Sequence, residues 1–159
     1  MLNPIKDIVR FNKEANLLTG YDDFLESSLI IEEALEGFED NMQDLAFELG
    51  LDKKYPSDAD EVCHAKHLAR HITGIVADKV NIPDVDRLDK ACDQVVFAVG
   101  AMAKLGLSAQ QITKALNIVM HKNFEKLECP KDEHGKLTKP VDFVGPEEDL
   151  QRILDDLHQ

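Results

Sequence analysis

Two long stretches of this chain place apolar residues in alternating steps of three and four, and each carries a row of carboxylates beside that seam. In the first, Ile31, Leu35, Phe38, Met42, Leu45 and Leu49 form the seam, and Glu32, Glu36 and Glu39 form the row. In the second, the seam is Leu88, Cys92, Val95, Val99 and Met102, and the row is Asp86, Asp89 and Asp93. Three-and-four spacing is the signature of an α-helix that turns one face inward. Most of the carboxylates directly follow a seam residue, and one residue is ~100° of helical rotation. Both rows therefore border surface that packs. Carboxylates there repel one another and lose hydration, which is costly unless a cation sits among them. A hard divalent ion such as Mg2+ suits oxygen donors of this kind.

No stretch alternates as a strand does, so the fold expected is all-α: a bundle of about five helices plus a short C-terminal one, completed by oligomerisation. A single domain over residues 1–159 is expected. The first helix is read from Pro4 to Leu18, with Ile5, Ile8, Val9, Phe11 and Leu17 facing the core. The second runs from Asp22 to Leu49 and closes at Gly50. A loop holding Lys53, Lys54, Tyr55 and Pro56 leads to an N-cap at Ser57 or Asp58 and a third helix from Ala59 to Lys79. After the Asn81-Ile82-Pro83-Asp84 turn, Asp84 is expected to cap a fourth helix that reaches Leu105 and stops at Gly106. Ser108 caps a fifth, with Ile112, Leu116, Val119 and Phe124 on its apolar side. Residues 130–146 read as an irregular arm with a turn at His134-Gly135, and Glu147 to Leu157 as the last helix.

Charge narrows the function. With 31 acidic against 18 basic residues, the net charge is −13, which is unsuited to a DNA or RNA surface. A small polyanion can still bind where metal or lysine reverses the local sign. No apolar run reaches the roughly 20 residues of a membrane span, and residues 1–7 lack the basic and apolar segments of a secretory signal. A cytoplasmic protein is expected, with no membrane partner. Three cysteines, Cys63, Cys92 and Cys129, give an odd count and no CxxC pair, so a disulfide framework is not expected. Cys92 lies on the second seam and reads as a small buried hydrophobe.

Glutamate pairs on helices are ordinarily solvated surface, and Glu32-Glu33-Ala34-Leu35-Glu36 alone says little. The aspartate row says more, because Asp is a mediocre helix former and yet recurs at i, i+3 and i+7. Lys90 is turned ~100° from Asp89 and does not neutralise the row. The oxygen donors of Glu33, Glu36, Asp89 and Asp93, with Glu32 beside them, are the candidate ligands for one or more Mg2+ ions, with Mn2+ the alternative. Geometry ranks Glu32 above Glu33, because Glu33 points further from the seam. Downstream, Lys122, Lys126, Lys136 and Lys139 gather cations in the last third of an acidic chain, where Lys126 and Lys139 suit phosphate oxygens and Asn123 suits a sugar, phosphate or base. Cys63, His64, His67 and His71 cluster on the third helix, but no fourth ligand accompanies them, and they read as partly exposed or hydrogen-bonded side chains. Phe11, Asn12 and Phe97 are more economically core than a base pocket.

These blocks resemble the MazG-like all-α nucleoside triphosphate pyrophosphohydrolases, the group that includes phosphoribosyl-ATP pyrophosphohydrolase. Glu33-Ala34-Leu35-Glu36 matches the E-x-x-E of that family. Asp93 matches the end of its E-x-x-D, while Lys90 stands where the first acid belongs and Asp89 lies one residue earlier. Leu88-Asp89, Asp93, Gly100 and Leu105-Gly106 are similar to the dNTP-hydrolysing relatives, as are Asn123-Phe124-Glu125-Lys126 and Gly135-Lys136-Leu137-Thr138-Lys139-Pro140. The resemblance spans residues 25 to 146 and ranks Glu33 above Glu32. It implies Mg2+ at Glu33, Glu36, Asp89 and Asp93, attack at the α-phosphorus of a nucleoside triphosphate, release of pyrophosphate, and a homodimer or homotetramer. Glu32 or Glu33 would orient or deprotonate the attacking water, and Lys122, Asn123, Lys126 and Lys139 would bind substrate.

The expectation is a Mg2+-dependent hydrolase of a deoxynucleoside triphosphate that cleans the nucleotide pool. Phosphoribosyl-ATP or another nucleotide is the alternative substrate, and a non-catalytic helical interaction module is the alternative class.

Overall fold

The structure, a computed structural model, describes residues 3–38, 42–48, 61–77, 82–131 and 137–158. All the regular elements among them are helical: α1 (Pro4–Glu14), α2 (Asp23–Glu36), α3 (Met42–Glu48), α4 (Glu61–Ala77), α5 (Asp84–Lys104), α6 (Ala109–Phe124) and α7 (Glu147–Asp155), followed by a 3-10 turn at Asp156–His158. They group into two units, one of Met1–Thr19 with Pro83–Gln159 and one of Gly20–Ile82.

Local chemistry sets the helix ends. Asn3 Oδ1 accepts the amides of Ile5 and Lys6 at 3.1 and 3.3 Å, with Pro4 at the first helical position, where its missing N–H costs nothing. Asp22 caps α2 by accepting from Phe24 and Leu25 at 2.9 and 3.0 Å. Ser108 caps α6, as its sequence predicts, and Gln111 completes a capping box with it. Gly106 follows α5 with φ +94°, a conformation that glycine adopts without strain.

The expected second helix is divided. α2 ends at Glu36, Gly37 and Phe38 turn, and α3 is a separate helix. Glycine weakens a helix interior by about 1 kcal/mol, and here Phe38 N–H tightens back onto the Leu35 carbonyl at 2.8 Å. Asp84 does not cap α5. Pro83 occupies the cap position, so Asp84 already lies inside the helix and its carboxylate instead takes Arg87 at 2.7 Å. Glu39, Leu49, Gly50, Lys53, Lys54, Tyr55, Pro56, Ser57, Asp58, Lys79, Asn81, His134, Gly135 and Lys136 lie outside the described residues.

In the unit of residues 20–82, α2 and α3 pack on α4. Its core is Ala65 and Leu68, flanked by Leu35, Leu45 and Ile72. Ser28 and Thr73 are buried beside it, and each hydroxyl donates to its own helix backbone, to Leu25 and Ala69 carbonyls, both at 2.9 Å. Self-satisfied hydroxyls of this sort can enter a core without an unpaired donor.

In the other unit, Leu107, Ile112 and Ile153 form the core, with Met102, Leu116, Leu154 and Leu157 around them. Phe11 of α1 meets Phe124 of α6 edge to face, ring centres 5.8 Å apart, and Arg10 lies over the same Phe124 ring at 4.3 Å. Phe11 is thus a packing residue, and Asn12 donates to its own helix at the Ile8 carbonyl. Ile5 and Val9, expected in the core, are exposed. The larger departure is α5. Of its expected seam only Met102 joins the core, while Leu88, Cys92, Val95 and Val99 are exposed. Within its unit α5 packs on α6, which takes up one end of the helix and leaves the rest of the seam uncovered.

Candidate functional site

The glutamate row lies on α2. Glu32 is 3% exposed, Glu36 is half-buried and Glu33 is exposed. That Glu32 lies deeper than Glu33 is what helical geometry predicts, because Glu32 follows the seam residue Ile31 while Glu33 is turned a further ~100° outward. A carboxylate as buried as Glu32 needs compensation, and Glu32, Glu33 and Glu36 each take part in a polar or electrostatic interaction.

Asp86, Asp89 and Asp93 lie on α5 and are exposed. The two rows belong to different units. Among the described residues, no group of three or more His, Cys, Asp or Glu side chains is drawn together as a metal site. As donors the side chains fit a hard cation: all are carboxylates, with no soft ligand among them. On α4, His67 is exposed and His71 half-buried, whereas the Cys63 and His64 side chains lie outside the described residues.

The substrate-binding candidates surround the end of α6. Lys126 Nζ donates to Asn123 Oδ1 at 3.1 Å, so two residues chosen from sequence are brought into contact. The same ammonium lies 4.9 Å from the centre of the Phe143 ring. Phe143 was not among the sequence candidates, and its one signal was an aromatic residue inside a polar arm. The arm is tied by Thr138, whose N–H and hydroxyl both donate to the Pro130 carbonyl, at 3.0 and 2.9 Å. Asn123, Lys126 and Phe143 together offer an amide, a cation and an aromatic edge, groups that suit a phosphorylated ligand.

Lys122 is differently placed. Its ammonium donates to both Glu125 oxygens, at 3.1 and 3.3 Å, and His121 approaches the same carboxylate at 3.2 Å. The hydrogen bond from Lys122 holds the Glu125 carboxyl below its ordinary value, with His121 adding to the effect. Lys122 also lines a groove of about 540 Å3 along α6, with Thr113, Lys114, Asn117, His121 and Asp149. Lys139 is exposed on the arm.

Comparison with protein-family models, curated proteins and solved structures finds no match to this chain. No single helix among the described residues is long and apolar enough to cross a membrane.

Proposed function

We propose that this protein is a Mg2+-dependent nucleoside triphosphate pyrophosphohydrolase acting on a deoxynucleotide, in the manner of the MazG-like enzymes its motifs resemble. The observation that carries the reading is the burial of Glu32, 3% exposed and one turn from Glu36 on α2. An interior carboxylate next to two others on one helix is an arrangement suited to acid–base or metal chemistry. Glu33, Glu36, Asp89 and Asp93 are assigned as the metal ligands. Placing both rows in one site rests on the sequence motifs.

Bound Mg2+ would neutralise phosphate oxygens and acidify a coordinated water. Glu32, or Glu33, accepts the proton of the attacking water. The water oxygen bonds to the α-phosphorus as the bond from that phosphorus to the bridging oxygen breaks, giving a monophosphate and pyrophosphate. Lys126 stabilises phosphate charge, and Asn123 beside it offers an amide to the sugar or a phosphate. Lys139 is the second cation assigned to phosphate, and Lys122 a third once it leaves Glu125. A homodimer or homotetramer working on the cytoplasmic nucleotide pool completes the reading.

The test is incubation of the purified protein with Mg2+ and each common dNTP and NTP, with products followed by 31P NMR. Monophosphate plus pyrophosphate is the expected outcome. Diphosphate plus orthophosphate would refute attack at the α-phosphorus. Metal binding without turnover would redirect the search to phosphoribosyl-ATP. If millimolar Mg2+ neither binds nor raises the melting temperature, the protein is an interaction module and the hydrolase reading fails.

A further inference from the structure

We infer that the groove along α6 is a binding site for a nucleoside monophosphate, separate from both carboxylate rows and from the Asn123–Lys126 pair. The groove holds about 540 Å3, within the range of small-molecule pockets. It is built by one unit alone, from α6 and Asp149 of α7. Gln110, Lys114, Asn117 and His121 line it in steps of four, three and four, and so form one stripe down the helix. Asn123 lies six residues beyond Asn117, ~120° round the axis, on another side of α6.

Asn117 carries the argument. Its Oδ1 is closed off from water and accepts no hydrogen bond, although the residue lines the groove. A buried acceptor left unpaired is costly. The amide turns readily about its last side-chain bond, so a donor seated in the groove can pair with it. An amide sets an acceptor beside a donor. Its complement is an N–H beside an acceptor, which the edge of every common nucleobase presents. Ile118 and the aliphatic stems of Lys114 and Lys122 supply apolar wall for the flat ring.

Charge sets the other end of the ligand. Asp149 is held by Arg152 at 2.7 Å, and Glu125 by Lys122 and His121. Lys114 is exposed, with no ion pair among the described residues. It lies a turn before Asn117, about 4.5 Å along the axis, and its four-carbon stem carries the ammonium further. That spacing leaves room for a pentose between base and phosphate. A phosphate monoester, about −1.5 to −2 in charge at pH 7, suits one lysine with the Gln110 amide a turn beyond it. A triphosphate would bring more charge than this groove offsets on a chain of −13. No carboxylate of the metal rows enters, so the site stands or falls separately from the hydrolase reading.

The experiment is titration calorimetry of the full chain in EDTA, without Mg2+, against dAMP, dCMP, dGMP and dTMP. The controls are inorganic phosphate and an analogue of the tightest binder, methylated on its base to remove the edge N–H. Saturable binding of a monophosphate with a sub-millimolar Kd is expected, with each control weaker by about tenfold or more. Lys114→Met should weaken the nucleotide by about tenfold. Asn117→Leu should erase the difference between the nucleotide and its methylated analogue. Glu36→Gln should bind the nucleotide as the wild type does. No binding of any of these nucleotides at several millimolar overturns the proposal. Equal binding of inorganic phosphate overturns it by reducing the groove to an anion patch. Binding that survives Lys114→Met unchanged places the ligand elsewhere and overturns it too. Loss of binding in Glu36→Gln overturns it in favour of the carboxylate rows. If Asn117→Leu does not fold, the methylated analogue on the wild-type chain decides, and equal affinity for both nucleotides refutes the pairing with Asn117.

Discussion

Lys126 offers the most direct test of whether the end of α6 is a built site. Lys126→Met keeps the aliphatic stem and removes the ammonium, together with its 3.1 Å hydrogen bond to Asn123 and its position 4.9 Å from the Phe143 ring. A hydrogen bond from a charged donor contributes about 1.5–3 kcal/mol, less where water competes as it does at this half-buried side chain. A cation over an aromatic ring adds about 0.5–1 kcal/mol at an accessible site. The substitution should therefore cost about 2 kcal/mol in urea unfolding. Phe143→Leu, made alone and combined with Lys126→Met, closes a double-mutant cycle whose coupling should be about 0.5–1 kcal/mol. Additivity within about 0.3 kcal/mol would show that the ring and the ammonium do not interact, and the site as described would be refuted. If Lys126 also holds phosphate, the same variant raises KM about tenfold, the equivalent of ~1.4 kcal/mol.

Glu36→Gln and Asp93→Asn should each abolish turnover with helicity preserved, and the double variant should be no worse than either alone, because groups that act as one unit are not additive; turnover in either single variant would sink the ligand assignment. Ile153 is 2% exposed and packs among Leu107 and Ile112, so Ile153→Ala should lower unfolding free energy by about 2–5 kcal/mol in denaturant titration. Glu125 has a folded pKa below its ordinary 4.5 because of Lys122, so its contribution is present above that value and lost as pH falls through the folded pKa. An NMR titration of its carboxyl carbon should show a midpoint below 4.5 in the wild type and an upward move in Lys122→Met. A wild-type midpoint at or above the ordinary value would contradict the ion pair.

The all-helical architecture was legible because caps and periods are local: Ser108 at the start of α6 and Gly106 at the end of α5 each act on residues within a turn or so of themselves. The break at Gly37 was missed because the apolar seam continues through it in unbroken steps, so that periodicity outweighed the glycine. The deeper burial of Glu32 than of Glu33 could be read from rotation about a helix axis. The meeting of Lys126 with Phe143 could not, since it depends on how the arm folds back over 17 residues of chain.

The α5 seam marks the limit of such reading. Periodicity states which face of a helix is apolar; it carries no information on what covers that face. Leu88, Val95 and Val99 satisfy every local rule for core residues and are nevertheless exposed in the single chain. Hydrophobic burial is non-directional and proportional to area, so the same stripe is stabilised equally well by its own chain or by another. What separates the two is the energetic cost of leaving the stripe in water when the chain is alone. Along α5 that cost is met within its own unit only at the end where Met102 joins the core.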